Sequence, residues 1–383
     1  MRFILLADLH IGKRGNGFPM LEDQRYILWQ MLDRIKESDV DAVMIAGDIY
    51  DKPVPSAEAV DLFDDFLVGL TKLGVSVFLI SGNHDSAERI SYAGRLLRES
   101  QVYISPRFDG RIRPIPVTDE YGTVNVYLIP YIHPSLVRNA WPDEKIDSYE
   151  DAMRVLIRKS EVDPSARNLA VVHQFVTAGS HRPEETDSEE KHVGGLDNVD
   201  AAAFDAFDYV ALGHLHGPQQ IGRETIRYAG SPLKYSFSEE KQKKSMTLAE
   251  IKEKGVVSYE LLPMEARRDL KTVRGSFEMV VSPEFTAGLK REDYYRVILT
   301  DENDVPNAIS RLRRRFYENL MILEYDNTRT SADRKLEAAE GEEEKKPIEV
   351  LEDLYEMQNG RTMSQFQRET AESMIRKIWE EYV

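Results

Sequence analysis

The ten residues Ala42-Val43-Met44-Ile45-Ala46-Gly47-Asp48-Ile49-Tyr50-Asp51 join an apolar run to a pair of carboxylates. The pattern recurs further along the chain, where the apolar run 75–80 leads to Gly82-Asn83-His84-Asp85. Continuous apolar runs of this length are typical of strands buried on both faces of a parallel sheet. Because each run ends in polar side chains, the two stretches predict a functional site at the carboxyl edge of that sheet.

Three further apolar runs, at 2–7, 169–172 and 209–212, end in the same way. The ligand-type residues at the five strand ends are Asp8, His10, Asp48, Asn83, His84, His173, His214 and His216. A single histidine or aspartate after an apolar run is more often a core or capping residue. Five such strand ends, which hold five of the eight histidines, instead predict a dinuclear metal centre with nitrogen and oxygen ligands.

Composition is typical of a soluble globular protein. The 383 residues are 42% hydrophobic and 31% charged, which allows a large core and two or three domains. A cysteine count of 0 excludes disulfides and thiolate metal sites. The first apolar run is too short for a signal peptide, and no run approaches the roughly 20 residues of a membrane span. We therefore expect a cytoplasmic protein without a membrane partner.

The net charge of −17 leaves the class of substrate open. Nucleic-acid phosphates usually bind basic surfaces, and an acidic total argues against such a substrate. Carboxylates that hold divalent cations, however, count as negative in this sum and still create a site that attracts phosphate.

The order of the motifs, Asp-x-His, Gly-Asp-x-x-Asp, Gly-Asn-His-Asp, His and Gly-His-x-His, resembles that of the calcineurin-like metallophosphoesterase superfamily over residues 8–216. Within it, the segments 7–12, 82–86, 211–216 and 228–232 are similar to those of SbcD-type nuclease subunits, and this resemblance covers nearly the whole chain. It implies an α/β fold in which helices flank a β-sandwich, with a small α+β capping domain and C-terminal partner-binding helices.

The resemblance also implies which residues bind two metal ions. The predicted ligands of the first ion are Asp8, His10, Asp48 and His216, and those of the second are Asp48, Asn83, His173 and His214. Asp48 would bridge the two, since a carboxylate has two oxygens to share. Two Mn²⁺ ions are implied, with Mg²⁺ or Fe²⁺ as alternatives.

The same resemblance makes His84 a catalytic residue that protonates the leaving oxygen or stabilises its charge. Asp51 is predicted to orient His84. Some relatives carry histidine at the position of Asp51 and others aspartate, so a simple turn carboxylate remains the alternative for this residue.

The composition along the chain divides it into four segments, whose identities the resemblance implies. They are a metallophosphoesterase (nuclease) domain at 1–264, a capping domain at 265–327, a flexible linker at 328–346 and two amphipathic helices at 347–383. Ser364 and Gln367 form a predicted capping box for the last helix. Within the first segment we expect a helix from about Ala87 to Glu99 and a surface loop from Thr177 to Val193.

The capping domain contains a predicted helix that opens at Pro306 and has an arginine-rich face. A solvated helix face is the common explanation of such a run. The resemblance favours contact with DNA through Arg311, Arg314 and Arg315 instead.

The C-terminal helices need a partner surface, which on the sequence alone could be the chain's own core. The resemblance implies that they bind the coiled coil of SbcC, an ATPase of the structural-maintenance-of-chromosomes type. It also implies a homodimer, for which the helices after Ser56 and Asp85 are the predicted interface.

Three functions remain open. The resemblance implies a DNA nuclease, with 3′–5′ exonuclease activity on duplex ends and endonuclease activity on single strands or hairpins, that acts in DNA recombination, replication and repair. A phosphoesterase for cyclic nucleotides or phosphomonoesters shares the core motifs but needs neither the capping domain nor the C-terminal helices. A scaffold without chemistry is disfavoured by the complete set of ligands.

Overall fold

Two six-stranded sheets pack face to face in the computed structural model of the chain. The structure describes residues 1–189, 198–327 and 362–381, together with Ile348, Leu351, Glu352 and Tyr355. The first sheet contains β1 (Arg2–Leu6), β4 (Ala42–Ala46), β5 (Ser76–Ile80), β6 (Val102–Ile104), β15 (Ser245–Ile251) and β16 (Val257–Pro263). The second contains β7 (Ile115–Asp119), β8 (Gly122–Ile129), β9 (Arg167–His173), β12 (Tyr209–Gly213), β13 (Gln219–Ile221) and β14 (Arg223–Tyr228). Two further pairs are short: β2 (Arg14–Gly15) with β3 (Phe18–Pro19), and β10 (Val176–Thr177) with β11 (Val199–Asp200).

The central strands of each six-stranded sheet are parallel. Their spatial orders are β16-β15-β1-β4-β5-β6 and β13-β14-β12-β9-β8-β7. Pairing is parallel from β1 to β6 and from β14 to β8, whereas β15, β16, β13 and β7 add antiparallel edges. The carboxyl ends of the parallel strands therefore lie at one edge of each sheet.

Helices cover the outer face of each sheet, and this arrangement confirms the predicted β-sandwich flanked by helices. They are α1 (Leu21–Glu37), α2 (Ala57–Lys72), α3 (Ala87–Ile90), α4 (Gly94–Leu97), α5 (Pro134–Ala140) and α6 (Tyr149–Lys159). Strand β4 shows why its sequence is apolar throughout: Val43 and Ile45 pack under the helices, while Met44 and Ala46 face the second sheet. Alternate side chains of a strand point to opposite faces, so a strand buried on both faces needs a continuous apolar run.

The single helix predicted from Ala87 to Glu99 is wrong. The chain forms α3 and then α4, and between them Ala93 takes a left-handed φ of 58°. After this turn the backbone lies close to β6, since a Cβ at Gly94 would be in van der Waals contact with Ile104. Contact with the edge strand, which periodicity does not encode, therefore interrupts the helix.

A third sheet with its own apolar core follows the sandwich. Its parallel strands are β17 (Leu270–Gly275), β18 (Tyr294–Leu299) and β19 (Asn319–Tyr325), and its helices are α7 (Phe277–Val280), α8 (Pro283–Thr286) and α9 (Ala308–Arg315). Helix α9 begins two residues after Pro306, where the sequence predicts that the helix opens. The buried Asp23 of α1 accepts hydrogen bonds from Tyr294 Oη (2.7 Å) and Arg268 (2.8 Å), which ties this module to the sandwich.

The C-terminal helix α10 (Gln365–Glu381) opens with the predicted capping box. Ser364 N donates to Gln367 Oε1 at 2.9 Å, and Gln367 N donates to Ser364 Oγ at 3.4 Å. The predicted linker at 328–346 lies outside the described residues, as does most of the predicted helix before α10. In the part of the chain that the structure describes, no helix has both the length and the apolarity needed to cross a membrane.

Candidate metal centre

The predicted ligands lie in the turns that follow β1, β4, β5 and β12, except His173, which is the last residue of β9. Four of them adopt positive φ angles: Asp8 (52°), His10 (43°), Asp48 (49°) and His214 (105°). Such angles are costly for residues other than glycine and persist where the surrounding structure enforces them. Here the backbone does so, because Asp8 N donates to Gly47 O (3.1 Å) and His10 N donates to Asp48 O (2.9 Å).

The structure brings all seven predicted ligands into one cluster. On one side, His10 Nε2 lies 3.0 Å from His216 Nε2 and 3.6 Å from Asp48 Oδ2. On the other side, Asn83 Oδ1 lies 2.9 Å from His173 Nε2 and 3.1 Å from His214 Nδ1. Asp48 connects the sides, since its Oδ2 is also 3.4 Å from His173 Nε2.

Asp8 is the seventh residue of this cluster. Its Oδ1 accepts a hydrogen bond from His214 N at 2.9 Å, which joins the turn after β1 to the turn after β12. Six of the seven side chains are buried, and Asn83 is partly exposed.

The two sheets meet at His173. Its Nδ1–H donates to the carbonyl oxygen of Ala46 in the other sheet at 2.8 Å, which fixes the tautomer and turns Nε2 towards Asp48 and Asn83. Gly213 makes this approach possible, because a Cβ at that position would overlap the same carbonyl oxygen. Glycine is therefore required here for space.

Asp85 joins the two motifs that opened the sequence. Its buried carboxylate accepts hydrogen bonds from Ile49 N (3.0 Å), Tyr50 N (3.0 Å) and Gly82 N (2.9 Å). Burial raises the pKa of Asp85 to about 6, and the charge of Asp48 adds to the shift. Its place in the Gly-Asn-His-Asp motif is the only sign in the sequence that this residue has such a role.

The buried carboxylates need positive partners. Burial raises the pKa of Asp8 well above its usual value, although the neighbouring His173 opposes the shift. Burial also acts to raise the pKa of Asp48, but His173 and then His10 outweigh it and hold that pKa well below its usual value. Burial lowers the pKa of His173, and Asp48 outweighs this effect and raises it to about 9. A cation bound beside Asp48 would take over the role of this imidazolium.

The cluster fits metal cations. Asp8 Oδ2 and His10 Nδ1 are buried and have no hydrogen-bond partner among the described residues, which is unusual for buried polar atoms. Three groups offer ligand atoms within 4.8 Å of one another: Asp8 with His10 and His216, His10 with Asp48 and His84, and Asp8 with Asp48 and His173. Carboxylate, imidazole and amide donors suit divalent ions such as manganese, iron or magnesium. The arrangement is that of a site for two cations.

His84 stands at the rim of the cluster. Its ring is partly exposed and lies 4.8 Å from the ring of His10, centroid to centroid. Its main-chain N donates to Asp48 Oδ1 at 3.0 Å. Asp51 is its neighbour, as expected, but His84 Nδ1 lies 3.2 Å from the main-chain carbonyl oxygen of Asp51. The Asp51 carboxylate accepts a hydrogen bond from Lys13 Nζ at 2.9 Å.

Apart from Nε2, each polar atom of His216 has a hydrogen-bond partner. Its main-chain N donates to Glu189 Oε1 (2.6 Å), and its carbonyl oxygen accepts from Lys244 Nζ (2.9 Å). Its Nδ1 lies 2.6 Å from Ser188 Oγ, which in turn donates to Glu239 Oε1 (2.5 Å). The Ser188 hydroxyl oxygen can therefore accept a hydrogen bond from Nδ1–H of His216, which leaves the lone pair of Nε2 for a cation.

Two of these residues pair in the interior. Glu239 and Lys244 form an ion pair of 2.5 Å with side chains that are 0% and 5% exposed. Burial acts to raise the pKa of Glu239, but His216 and Lys244 outweigh it and lower that pKa to about 2. Burial lowers the pKa of Lys244, and Glu239 opposes the shift. The pair is thus a charged support beneath His216.

The prediction of a surface loop from Thr177 to Val193 is wrong for its central part, because Thr186 and Glu189 are buried against the site. Residues 190–193, with His192, lie outside the described residues. The sequence signal for Glu189 and Ser188 was weak, since polar residues without periodicity look the same in a surface loop and in one folded over a charged site. Glu239 and Lys244 likewise gave no sequence signal.

The other predicted residues lie away from the centre. His133 caps α5 by accepting a hydrogen bond from Ser135 N at 3.3 Å. Arg311, Arg314 and Arg315 are exposed on α9. The guanidinium of Arg311 lies 4.1 Å from the ring centroid of Phe277.

Comparison with known proteins shows similarity to two protein families. Residues 1–218 match the family described as calcineurin-like phosphoesterase, and residues 266–359 match the one described as type 5 capsule protein repressor C-terminal domain (SbcD_C). The SbcD subunit of the SbcCD nuclease of Staphylococcus epidermidis is 32% identical over 327 residues, which are 84% of this chain and 85% of the relative. A crystal structure of a dimetal phosphatase from Danio rerio aligns with 69% of this chain and 99% of its own, at 11% identity and a TM-score of 0.39.

We predict that Ser188→Ala weakens cation binding at one of two sites. The substitution removes the acceptor for the Nδ1 proton of His216, and loss of such a partner typically costs about 10- to 100-fold in metal affinity. Isothermal titration calorimetry with Mn²⁺ measures the affinity and stoichiometry. The matched control is Ser100→Ala at an exposed position. Equal Mn²⁺ affinities for the two variants would contradict the role of Ser188.

Proposed function

Because the chain belongs to the calcineurin-like phosphoesterase family and, within it, to the SbcD nuclease subunits, we propose that it is the dimanganese nuclease subunit of an SbcCD-type complex. It is a metal-dependent hydrolase of the phosphodiesterase type. The observation that supports the proposal best is the cluster of seven ligand-type side chains and His84 at five strand ends. The proposed activities are 3′–5′ exonuclease on duplex ends and endonuclease on single strands or hairpins, in DNA recombination, replication and repair.

Asp8, His10, Asp48 and His216 would hold one cation, and Asp48, Asn83, His173 and His214 the other. Two such cations lower the pKa of a water molecule and stabilise the charge that develops on phosphate. The protein's part is to orient its donors, through the Ala46 carbonyl at His173 and through Ser188 at His216. Mn²⁺ is the proposed ion.

His84 is the proposed proton donor to the leaving oxygen. The main-chain carbonyl oxygen of Asp51 can only accept a hydrogen bond, so the ring proton in this contact is on Nδ1. Nε2 is then the atom that takes up a proton and delivers it. Asp51 orients His84 in this scheme through its backbone.

A panel of substrates tests the proposal. The full chain, with Mn²⁺ or Mg²⁺ and with or without SbcC, should cleave duplex, hairpin and single-stranded DNA as well as bis-p-nitrophenyl phosphate. The control is His84→Gln, for which we predict a loss of turnover of at least about 100-fold while two Mn²⁺ ions still bind. Turnover of cyclic nucleotides or phosphomonoesters without DNA cleavage would instead support the small-substrate function. Near-normal DNA cleavage by the variant would remove His84 from the mechanism.

The arginines of α9 are proposed to contact the DNA backbone. Their exposure allows this contact, and in Arg311→Ala/Arg314→Ala/Arg315→Ala we predict weaker duplex binding at every sequence. Each lost phosphate contact reduces the slope of log K against log salt by about 0.9, so the triple variant should lose about 2 to 3 units. Fluorescence anisotropy at several salt concentrations measures the slope. Arg34→Ala on the exposed side of α1 is the control, and an unchanged slope in the triple variant would refute the contact.

The C-terminal helices are proposed to dock on the coiled coil of SbcC. Phe366 and Met374 of α10 are 78% and 58% exposed, which leaves apolar surface available for a partner. The homodimer is proposed to form elsewhere, where Val60 of α2, Tyr92 of the turn before α4 and Leu96 of α4 are 42%, 81% and 73% exposed. Val60 and Tyr92 line a groove of about 550 Å³ there.

Deletion of residues 347–383 separates these two interactions. The truncated chain should lose SbcC binding in a pull-down and keep the mass of a dimer in light scattering, because the proposed dimer surface lies within 1–264. Cleavage of bis-p-nitrophenyl phosphate by the truncated chain serves as the control for folding. Retained SbcC binding would contradict the docking site, and a monomer mass for the full chain would contradict the dimer.

A further inference from the structure

Four partly exposed residues mark the open side of the metal centre. Among the predicted ligands only Asn83 is partly exposed, and it shares this rim with His84, Asp51 and Lys13. The network around His216, by contrast, is buried. A phosphodiester therefore reaches the centre past Lys13 and His84.

Lys13 places a positive charge on this rim. Its side chain is 15% exposed, and its Nζ lies 2.9 Å from Asp51 Oδ1. The ammonium also lies 5.6 Å from the ring centroid of Tyr235, which itself packs at 5.7 Å from His10 and 5.8 Å from His216, centroid to centroid. The charge thus stands next to the side of the centre that His10 and His216 form.

The loop that carries Lys13 is fixed to the site. Lys13 N donates to the carbonyl oxygen of His10 at 3.0 Å, and Asp51 N donates to Ile11 O at 3.2 Å. The turn after β1 and the turn after β4 therefore hold Lys13 and Asp51 side by side. Neither residue needs a domain movement to act at the centre.

We propose that the Lys13 ammonium is a phosphate-binding group of the centre and that the Asp51 carboxylate positions it. The inference rests on the proposed phosphodiesterase function and adds to it a substrate contact. An ammonium has three N–H donors, and the hydrogen bond to Asp51 occupies one. The others are available to a non-bridging phosphate oxygen, for which lysine acts as a point charge.

The backbone carbonyl and the side-chain carboxylate of Asp51 contact different residues. The carbonyl oxygen contacts His84 Nδ1, and any residue supplies that group. The carboxylate contacts Lys13 and lies 4.0 Å from His10 Nδ1. Lys13 is the nearer of the two and the one within hydrogen-bond distance, so Asp51 is a positioning residue for the phosphate contact.

Binding of inorganic phosphate to the Mn²⁺-loaded full chain tests this inference. In calorimetry, Lys13→Met and Asp51→Asn should each weaken phosphate binding by about tenfold, the loss of one charged hydrogen bond. The double variant should lose no more than either single one, since the two residues act as a unit. With bis-p-nitrophenyl phosphate, both variants should raise KM more than they lower kcat. The matched control is Lys52→Met, which removes the neighbouring exposed lysine.

Each other outcome overturns part of the inference. Unchanged phosphate affinity in Lys13→Met, with the melting temperature of the unaltered chain, would leave Lys13 a structural residue only. A loss of kcat in Asp51→Asn that matches His84→Gln, with phosphate affinity intact, would assign the carboxylate to His84. If Lys13→Met unfolds, Lys13→Gln and Lys13→Arg replace it, and Arg alone should retain affinity. Absence of DNA cleavage would overturn the nuclease function and leave these phosphate measurements valid.

Discussion

The burial of two carboxylates where the two sheets meet constrains the rest of the structure. Asp8 and Asp48 are 0% and 2% exposed, and a buried charge is tolerated only with a partner of opposite charge or with full hydrogen bonding. The histidines around them meet that requirement, together with main-chain N–H groups from the turns. Placing so many donors in one small volume needs five strands that end at the same edge, which a pair of parallel sheets supplies.

The closeness of the sheets sets the geometry of the centre. The hydrogen bond from His173 to Ala46 crosses from one sheet to the other, and Gly213 leaves the space for it. Asp85 then fastens the turns after β4 and β5 to each other through three main-chain donors. Because these contacts exist only when the sandwich is closed, formation of the cation site is coupled to folding.

Around this core, the chain surrounds His216 with charged groups and leaves the side of His84 open. The ion pair of Glu239 and Lys244 lies beneath His216, and Ser188 links it to the imidazole. Lys13, Asp51 and His84 form a partly exposed rim, past which we propose that a substrate approaches. In the proposed function, this arrangement separates the groups that would hold cations from those that would contact phosphate. The third sheet and the C-terminal helix add further surfaces outside this centre.

Local patterns in the sequence were sufficient for the elements and for the assembly of the ligands. Apolar runs that end in Asp8, Asp48 or His173 predicted parallel strands with polar ends, and the shared edge of such strands implies proximity without a structure. The Ser364 and Gln367 capping box was predictable for the same reason, since its two hydrogen bonds join residues three apart.

What the tertiary structure decided were contacts between distant parts of the chain. The break at Ala93 depends on the packing of Gly94 against β6, and the burial of Glu189 depends on His216, 27 residues away. Asp51 shows most clearly which contacts the sequence alone does not reveal. The sequence gives the identity of this side chain. Only the folded structure shows that the carbonyl oxygen of Asp51 contacts His84, while its carboxylate contacts Lys13, 38 residues earlier. The main chain is the same at every residue, so its contacts depend on the fold.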